Sequence, residues 1–259
     1  MIPSSICNLL IELSQKYENP EFLKKDPSQF MHRFDSVREA EIVAFIAANL
    51  AFGRREQILS HVEAILDVAG KAPSDWILSQ KYKNFFADND NSFYRMYTNR
   101  DMRLFFDGLK EILTQSETLG EYFQKKWGEG ICNSEIYLHQ LVADSFPKNC
   151  SLLPHSRDSA AKKVNMLLRW FVRTDSPVDL GLWTWYDKKA LLMPLDTHVM
   201  QQSNELGLIS SKNANLKTAV ELTERLKEVF PDDPVRADFA LFGLGVDSSD
   251  SRIKNLLRQ

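Results

Sequence analysis

The run IVAFIAANLA, residues 42–51, is apolar at nearly every position. A helix with one wet face carries an apolar stripe, whereas one that is apolar all round has to be covered on every side. The chain therefore needs other helices to wrap this one, and it supplies them. Apolar residues recur at helical spacing over residues 6–17, 54–69, 101–115, 118–127, 134–146 and 216–230. Pro73 opens a short helix through Gln80, and DPVRADFALFGLG reads as a last helix with Asp233 as N-cap and Pro234 in its first turn. No β-branched alternating run stands out, and glycine and proline number only ten each in 259 residues. The expected class is all-α.

Residues 19–35, 84–100 and 147–157 read as connections. With no Gly- or Pro-rich linker, the helices are expected to form two lobes with a working cleft between them. Residues 1–100 and 209–259 would make one lobe and residues 101–208 the other. A hydrophobic fraction of 44% and a charged fraction of 26% suit a soluble globular chain. The net charge of −3 argues against an indiscriminate nucleic-acid coat but leaves room for a local basic groove. Cys7, Cys132 and Cys150 are too few and too widely spaced for a zinc or iron–sulfur site, so no metal or other cofactor is expected. Sparse, odd cysteines imply reduced thiols and a cytoplasmic location. The apolar run near the N-terminus is too short to span a bilayer.

Chemistry concentrates in residues 159–208. From residue 157 to 173 five basic side chains (Arg157, Lys162, Lys163, Arg169, Arg173) meet one acidic one, Asp158. At helical spacing Lys162, Asn165, Arg169 and Arg173 share one side, and Val164, Leu167, Leu168 and Phe171 take the other. This is either a solvated polar face or a surface for an anion, which a helix N-terminus favours. A Schiff-base nucleophile must be a neutral amine, and crowding Lys162 against Lys163 and burying one of them works in that direction. Asp196, after Pro194 and before Thr197-His198-Val199, fits an N-cap. A carboxylate held that rigidly also stabilises positive charge on a sugar. His198 reads as a supporting or packing residue, and His139 as structural. Further back, Asn49 is either a core amide or a polar residue that meets a ligand. Arg54 and Arg55 are either phosphate contacts or a solvated turn. Tyr94, Arg95 and Tyr97 suit base stacking or packing between helices.

The pattern KKVNMLLRWFVR…DLGLW…PLDTHV resembles a bacterial family that is in turn similar to the helix–hairpin–helix DNA glycosylase superfamily, nearest in style to the archaeal 8-oxoguanine branch. In that superfamily a catalytic lysine opens a helix in a K-x-x-N-like context, and a catalytic aspartate sits in a V-D-x-H-like context. Lys162 with Asn165 matches the first, and Asp196 with His198 the second. Asn49 falls where endonuclease III-like members carry a residue that probes the opened duplex. The hairpin departs from the pattern: Leu153-Pro154 is followed by His155-Ser156-Arg157-Asp158, without glycines.

The resemblance implies a DNA repair glycosylase with AP-lyase activity, acting on double-stranded DNA with a damaged base such as 8-oxoguanine. Lys162 would attack the sugar C1′ and form a Schiff base, and Asp196 would stabilise the oxocarbenium-like state. Lys163, Arg169 and Arg173 would meet phosphates, and Trp183 or Trp185 would stack on the extruded base. Two other readings fit the same residues: a nucleic-acid-binding protein without activity on the same fold, and a helical protein-interaction scaffold.

Overall fold

A computed structural model of the chain describes residues 1–130 and 136–246. They are mostly helical, with one two-stranded sheet. The elements run α1 (Ser4–Tyr17), α2 (Val37–Leu50), α3 (Arg55–Ala69), α4 (Pro73–Leu78), α5 (Tyr82–Phe85), β1 (Ser92–Tyr94), β2 (Tyr97–Thr98), α6 (Asn99–Gln115), α7 (Leu119–Gly130), α8 (Leu138–Asp144), α9 (Lys162–Val172), α10 (Thr197–Glu205), α11 (Leu216–Leu226) and α12 (Ala237–Val246). Among the described residues no helix is long and apolar enough to cross a membrane. The chain divides into two compact units, Leu23–His155 and Met1–Phe22 with Ser156–Gln259. These boundaries fall elsewhere than 100/101 and 208/209, because α6 packs on α4 and α7 on α2, while α10 packs on α12.

In the Leu23–His155 unit, α2 is the hub. Every residue from Glu39 to Leu50 is buried. Its two glutamates survive burial by capping other helices. Glu39 accepts the Ser74 N–H at 2.9 Å, and the Ser74 hydroxyl as well, at the start of α4. Glu41 accepts the Leu119 N–H at 2.7 Å and the Gly120 N–H at 3.2 Å at the start of α7. A carboxylate at a helix N-terminus satisfies orphan amides and faces the positive end of the dipole. Phe45 stacks on Phe146 with ring centroids 5.3 Å apart. Gly108 of α6 gives Phe146 its room, since a Cβ there would lie 2.4 Å from the ring.

Residues 19–35 are not a plain connection: Pro20–Lys25 and Pro27–Arg33 are short 3-10 helices, the second capped by Asp26 through the Ser28 N–H. Residues 84–100 hold the β1–β2 hairpin. A capping box closes α6, with Thr98 and Asp101 each accepting the other's backbone N–H. The helix expected over 134–146 is present as α8, and its first expected residues, with Cys132, lie outside the described ones. His139 is buried and its ring stacks on Tyr137, a packing role.

In the other unit α1 lays Leu9, Leu10 and Leu13 into the core. Gly243 of α12 sits against the Tyr17 ring, where a Cβ would come within 2.1 Å. The Ser14 hydroxyl donates to the Arg236 carbonyl at 3.2 Å. On α9, Val164, Leu167, Leu168 and Phe171 are buried as expected, but so are Asn165, Arg169 and, just beyond the helix, Arg173. The side that carries Lys162, Asn165, Arg169 and Arg173 is interior from Asn165 onward, with Lys162 half-buried. Asp233 does not cap with its side chain; it is the ion-pair partner of Arg173.

Candidate functional site

Ala161 precedes α9 in the left-handed region, with φ of 45°, and its N–H is taken by the Ser159 hydroxyl at 3.1 Å. That kink starts the helix at Lys162, which is half-buried and reaches along α9 to place Nζ 3.7 Å from the Met166 sulfur. Lys163 is half-buried beside it. Asn165 turns inward and donates to the Ala160 carbonyl at 2.8 Å, bracing the kink. Asp196 caps α10, accepting the Val199 N–H at 2.8 Å. His198, exposed, presents its ring edge to Phe242 and rests on Gly245, where a Cβ would lie 2.6 Å from the His198 Cβ.

The residue that sequence reasoning missed is Asp238, in the first turn of α12. It is buried and ion-paired with Arg169, whose guanidinium also bonds Asp179 at 3.3 Å and lies 4.4 Å from the Phe239 ring centre. Burial pushes the Asp238 carboxyl up to about 6; Arg169 opposes this, Asp196 adds to it and Lys162 opposes it. Lys162 and Asp196 are thus both within electrostatic reach of one buried carboxyl. The signal was available: an aspartate in RADFALFGLG, where every neighbour on that helix is apolar or small, is costly unless something charged faces it.

This carboxyl sets a pH dependence. Its folded-state value lies above the ordinary 3.8, so between about 4 and about 6 the folded chain holds a proton that the unfolded chain has released. Stability contributed by Asp238 therefore falls as pH rises through that window and falls no further above it. Asp238→Asn is expected to remove this slope. Thermal melts of both proteins from about pH 4 to about pH 7 would read it, and curves that stay parallel would show that Asp238 titrates normally.

Arg173 is sequestered more completely, with 2% of its side chain exposed. It bonds Glu18 at 2.7 Å, both oxygens of Asp233 at 2.9 and 3.0 Å, and Asp179. Burial works against its charge, but Asp179, Asp233 and Glu18 together outweigh burial and hold it above the usual arginine range. Arg169 and Arg173 are therefore not phosphate contacts: both guanidiniums are buried and ion-paired inside the unit. A cavity of about 290 Å³ opens beside Arg173, lined also by Glu18, Lys188, Phe230, Asp233 and Arg236. Neither Lys162 nor Asp196 lines it.

Trp183 is a packing residue, buried and stacked on Phe171 at 4.6 Å, and half-buried Trp185 stacks on it at 5.5 Å. In the Leu23–His155 unit Asn49 is fully buried and donates to the Phe45 carbonyl at 2.9 Å, so it is a core amide and not a surface probe. Arg54 is exposed and Arg55 half-buried at the start of α3.

Lys162 and Asp196 thus both act electrostatically on Asp238, the partner of Arg169, whereas Asn49 and Trp183 pack in the core and Arg173 is the centre of a buried ion-pair cluster. No curated protein and no solved structure matches the chain. A family model matches residues 26–247, most of its length, and the chain belongs to that family, described as protein of unknown function (DUF2400).

Proposed function

We propose that the chain is a base-excision DNA glycosylase with lyase activity, on a two-lobed helix–hairpin–helix-like fold, and that Lys162 is its nucleophile. One observation carries the reading: an amine at a helix start and a carboxylate at another helix cap both act on the same buried acid, Asp238. Charged groups set at the edge of a dry site are what a reaction with a cationic sugar intermediate needs. In the step proposed, the Lys162 amine forms a bond to C1′ while the C1′–base bond breaks and its electron pair leaves with the base. Asp196 faces the positive charge that develops on the sugar. Opening of the sugar ring gives the protonated Schiff base, and loss of a C2′ proton expels the 3′ phosphate. Asp238 and Arg169, paired and buried, fix the charge environment behind Lys162 without being spent.

A screen of duplexes with single lesions, 8-oxoguanine first, tests the reading through base release and nicking. Asp196→Asn refines it. Asparagine caps as well as aspartate, so folding is expected to be unchanged. The charge facing the sugar is lost, so base release should fall by roughly 10²–10³ with lesion binding kept. An Asp196→Asn protein with full activity would leave Asp196 as a cap alone. Binding without base release on every lesion would favour a nucleic-acid-binding role without chemistry.

A further inference from the structure

The cavity beside Arg173 carries charge for which the base-excision step has no use. All of its lining residues belong to the unit of Met1–Phe22 and Ser156–Gln259. At about 290 Å³ it stands at the small end of the range for pockets that take small molecules. Its carboxylates are already engaged. Glu18 takes Arg173 on one oxygen at 2.7 Å and the Arg236 Nε on the other at 2.9 Å, and Asp233 takes Arg173 on both. Of the two exposed ones, Asp232 pairs with Lys189 at 2.7 Å and Asp175 accepts the Thr174 hydroxyl at 3.2 Å. With Lys189 counted beside Asp232, these four carboxylates meet four cations, Arg173, Lys188, Lys189 and Arg236, so an entering anion finds no net repulsion.

Two of the lining cations keep donors to spare. Arg236 ends the 3-10 turn Pro234–Arg236, and its main chain is pinned on both sides: its N–H donates to the Asp233 carbonyl at 3.1 Å, and its own carbonyl accepts the Ser14 hydroxyl at 3.2 Å. Glu18 occupies its Nε, and among the described residues Nη1 and Nη2 have no acceptor. A guanidinium held by Nε alone still offers the edge between Nη1 and Nη2, a planar fork that matches the two oxygens of a carboxylate. Lys188, half-buried, has no hydrogen bond or ion pair among the described residues. Val229, Phe230 and Pro231 supply the apolar part of the lining, and the Arg236 guanidinium lies 6.0 Å from the Phe230 ring centre. The donors thus ask for an anion, and the apolar residues for an organic one.

We propose that this cavity is a binding site for a small organic carboxylate, whose two oxygens lie on Nη1 and Nη2 of Arg236 beside Lys188 and whose apolar body rests on Val229, Phe230 and Pro231. Neither Lys162 nor Asp196 lines the cavity, so the site stands whether or not the chain excises bases. The probe is benzoate, titrated into the full chain at low ionic strength and followed by calorimetry, with benzamide as its uncharged isostere and inorganic phosphate as a tetrahedral anion. Benzoate is expected to bind, and benzamide and phosphate to bind at least about tenfold more weakly. Arg236→Lys keeps the charge and one bond to Glu18 but loses the fork, so benzoate should weaken by roughly tenfold to a hundredfold. Lys188→Glu sets a like charge beside the ligand and should weaken it at least about tenfold. Because Lys188 has no partner in the fold, that variant should melt with the wild type, and it decides the matter if Arg236→Lys is destabilised. Benzoate that does not bind, or that binds Lys188→Glu as it binds the wild type, overturns the site. Phosphate or benzamide binding as tightly as benzoate overturns the carboxylate.

Discussion

Lys162→Gln is expected to abolish borohydride trapping of the chain on a lesion duplex, and Lys163→Gln to leave trapping in place. Borohydride reduces a Schiff base to a stable amine, so it reports which nitrogen carries the sugar. The two lysines are neighbours on a helix and project about 100° apart, so at most one can face Asp238 squarely. Lys162 is the one whose charge acts on that carboxyl and whose Nζ lies along α9 beside Met166. Glutamine is nearly isosteric and is a good helix former, so the fold should survive to within about 0.5 kcal/mol. Base release should drop by about 10³ or more, the scale on which removing a nucleophile acts. Trapping that persists in Lys162→Gln and vanishes in Lys163→Gln would move the nucleophile one residue along.

Arg173→Met should destabilise the chain by about 3–5 kcal/mol, the range for breaking a buried ion pair from one side. Methionine fills much of the space, but Asp179, Glu18 and Asp233 would face one another with their shared cation gone. Arg169 still holds Asp179, and Arg236 still bonds Glu18 at 2.9 Å, so collapse need not be total. Whole domains are stable by only about 5–15 kcal/mol, so the loss is a large share. The urea midpoint reads it directly. Arg173→Lys keeps the charge but cannot reach three carboxylates with one planar fork, and should fall between the two. An unchanged midpoint in Arg173→Met would mean that the cluster is open to water. The same burial predicts that Arg173 adds nothing to the salt dependence of DNA binding.

The misreading of Arg169 and Arg173 shows where sequence stops speaking. Their helical spacing was legible, and it placed them opposite Val164 and Leu167 correctly. What it could not give was the partner set, because Glu18, Asp179 and the Asp233–Asp238 pair come from three separate places in the chain. A basic stripe facing water and one facing buried acids have the same pattern. The hub helix was legible because an all-round apolar run leaves little choice, and the capping role of Asp196 because the residue type and its position agree. The hairpin was not. Its turn is Arg95-Met96 and lacks the Asn-Gly or Asp-Gly signal, and strands of three and two residues are too short for alternation to show. Lys162 and Asp196 were singled out by motif, while Asp238, on whose carboxyl both charges act, was passed over as part of an apolar helix.

The pairing of α1 with α12 has a consequence during synthesis. The Leu23–His155 unit has all its parts once residue 155 has left the ribosome. Ser4–Tyr17 precedes that unit in the chain, yet the helix its apolar face packs on, Ala237–Val246, emerges long after it. At translation speeds of about 5–20 residues per second, that interval runs from roughly ten seconds to most of a minute. For that time Leu9, Leu10 and Leu13 are an exposed stripe on a nascent chain, the kind of segment that chaperones hold. A helix made early is therefore among the last to find its place.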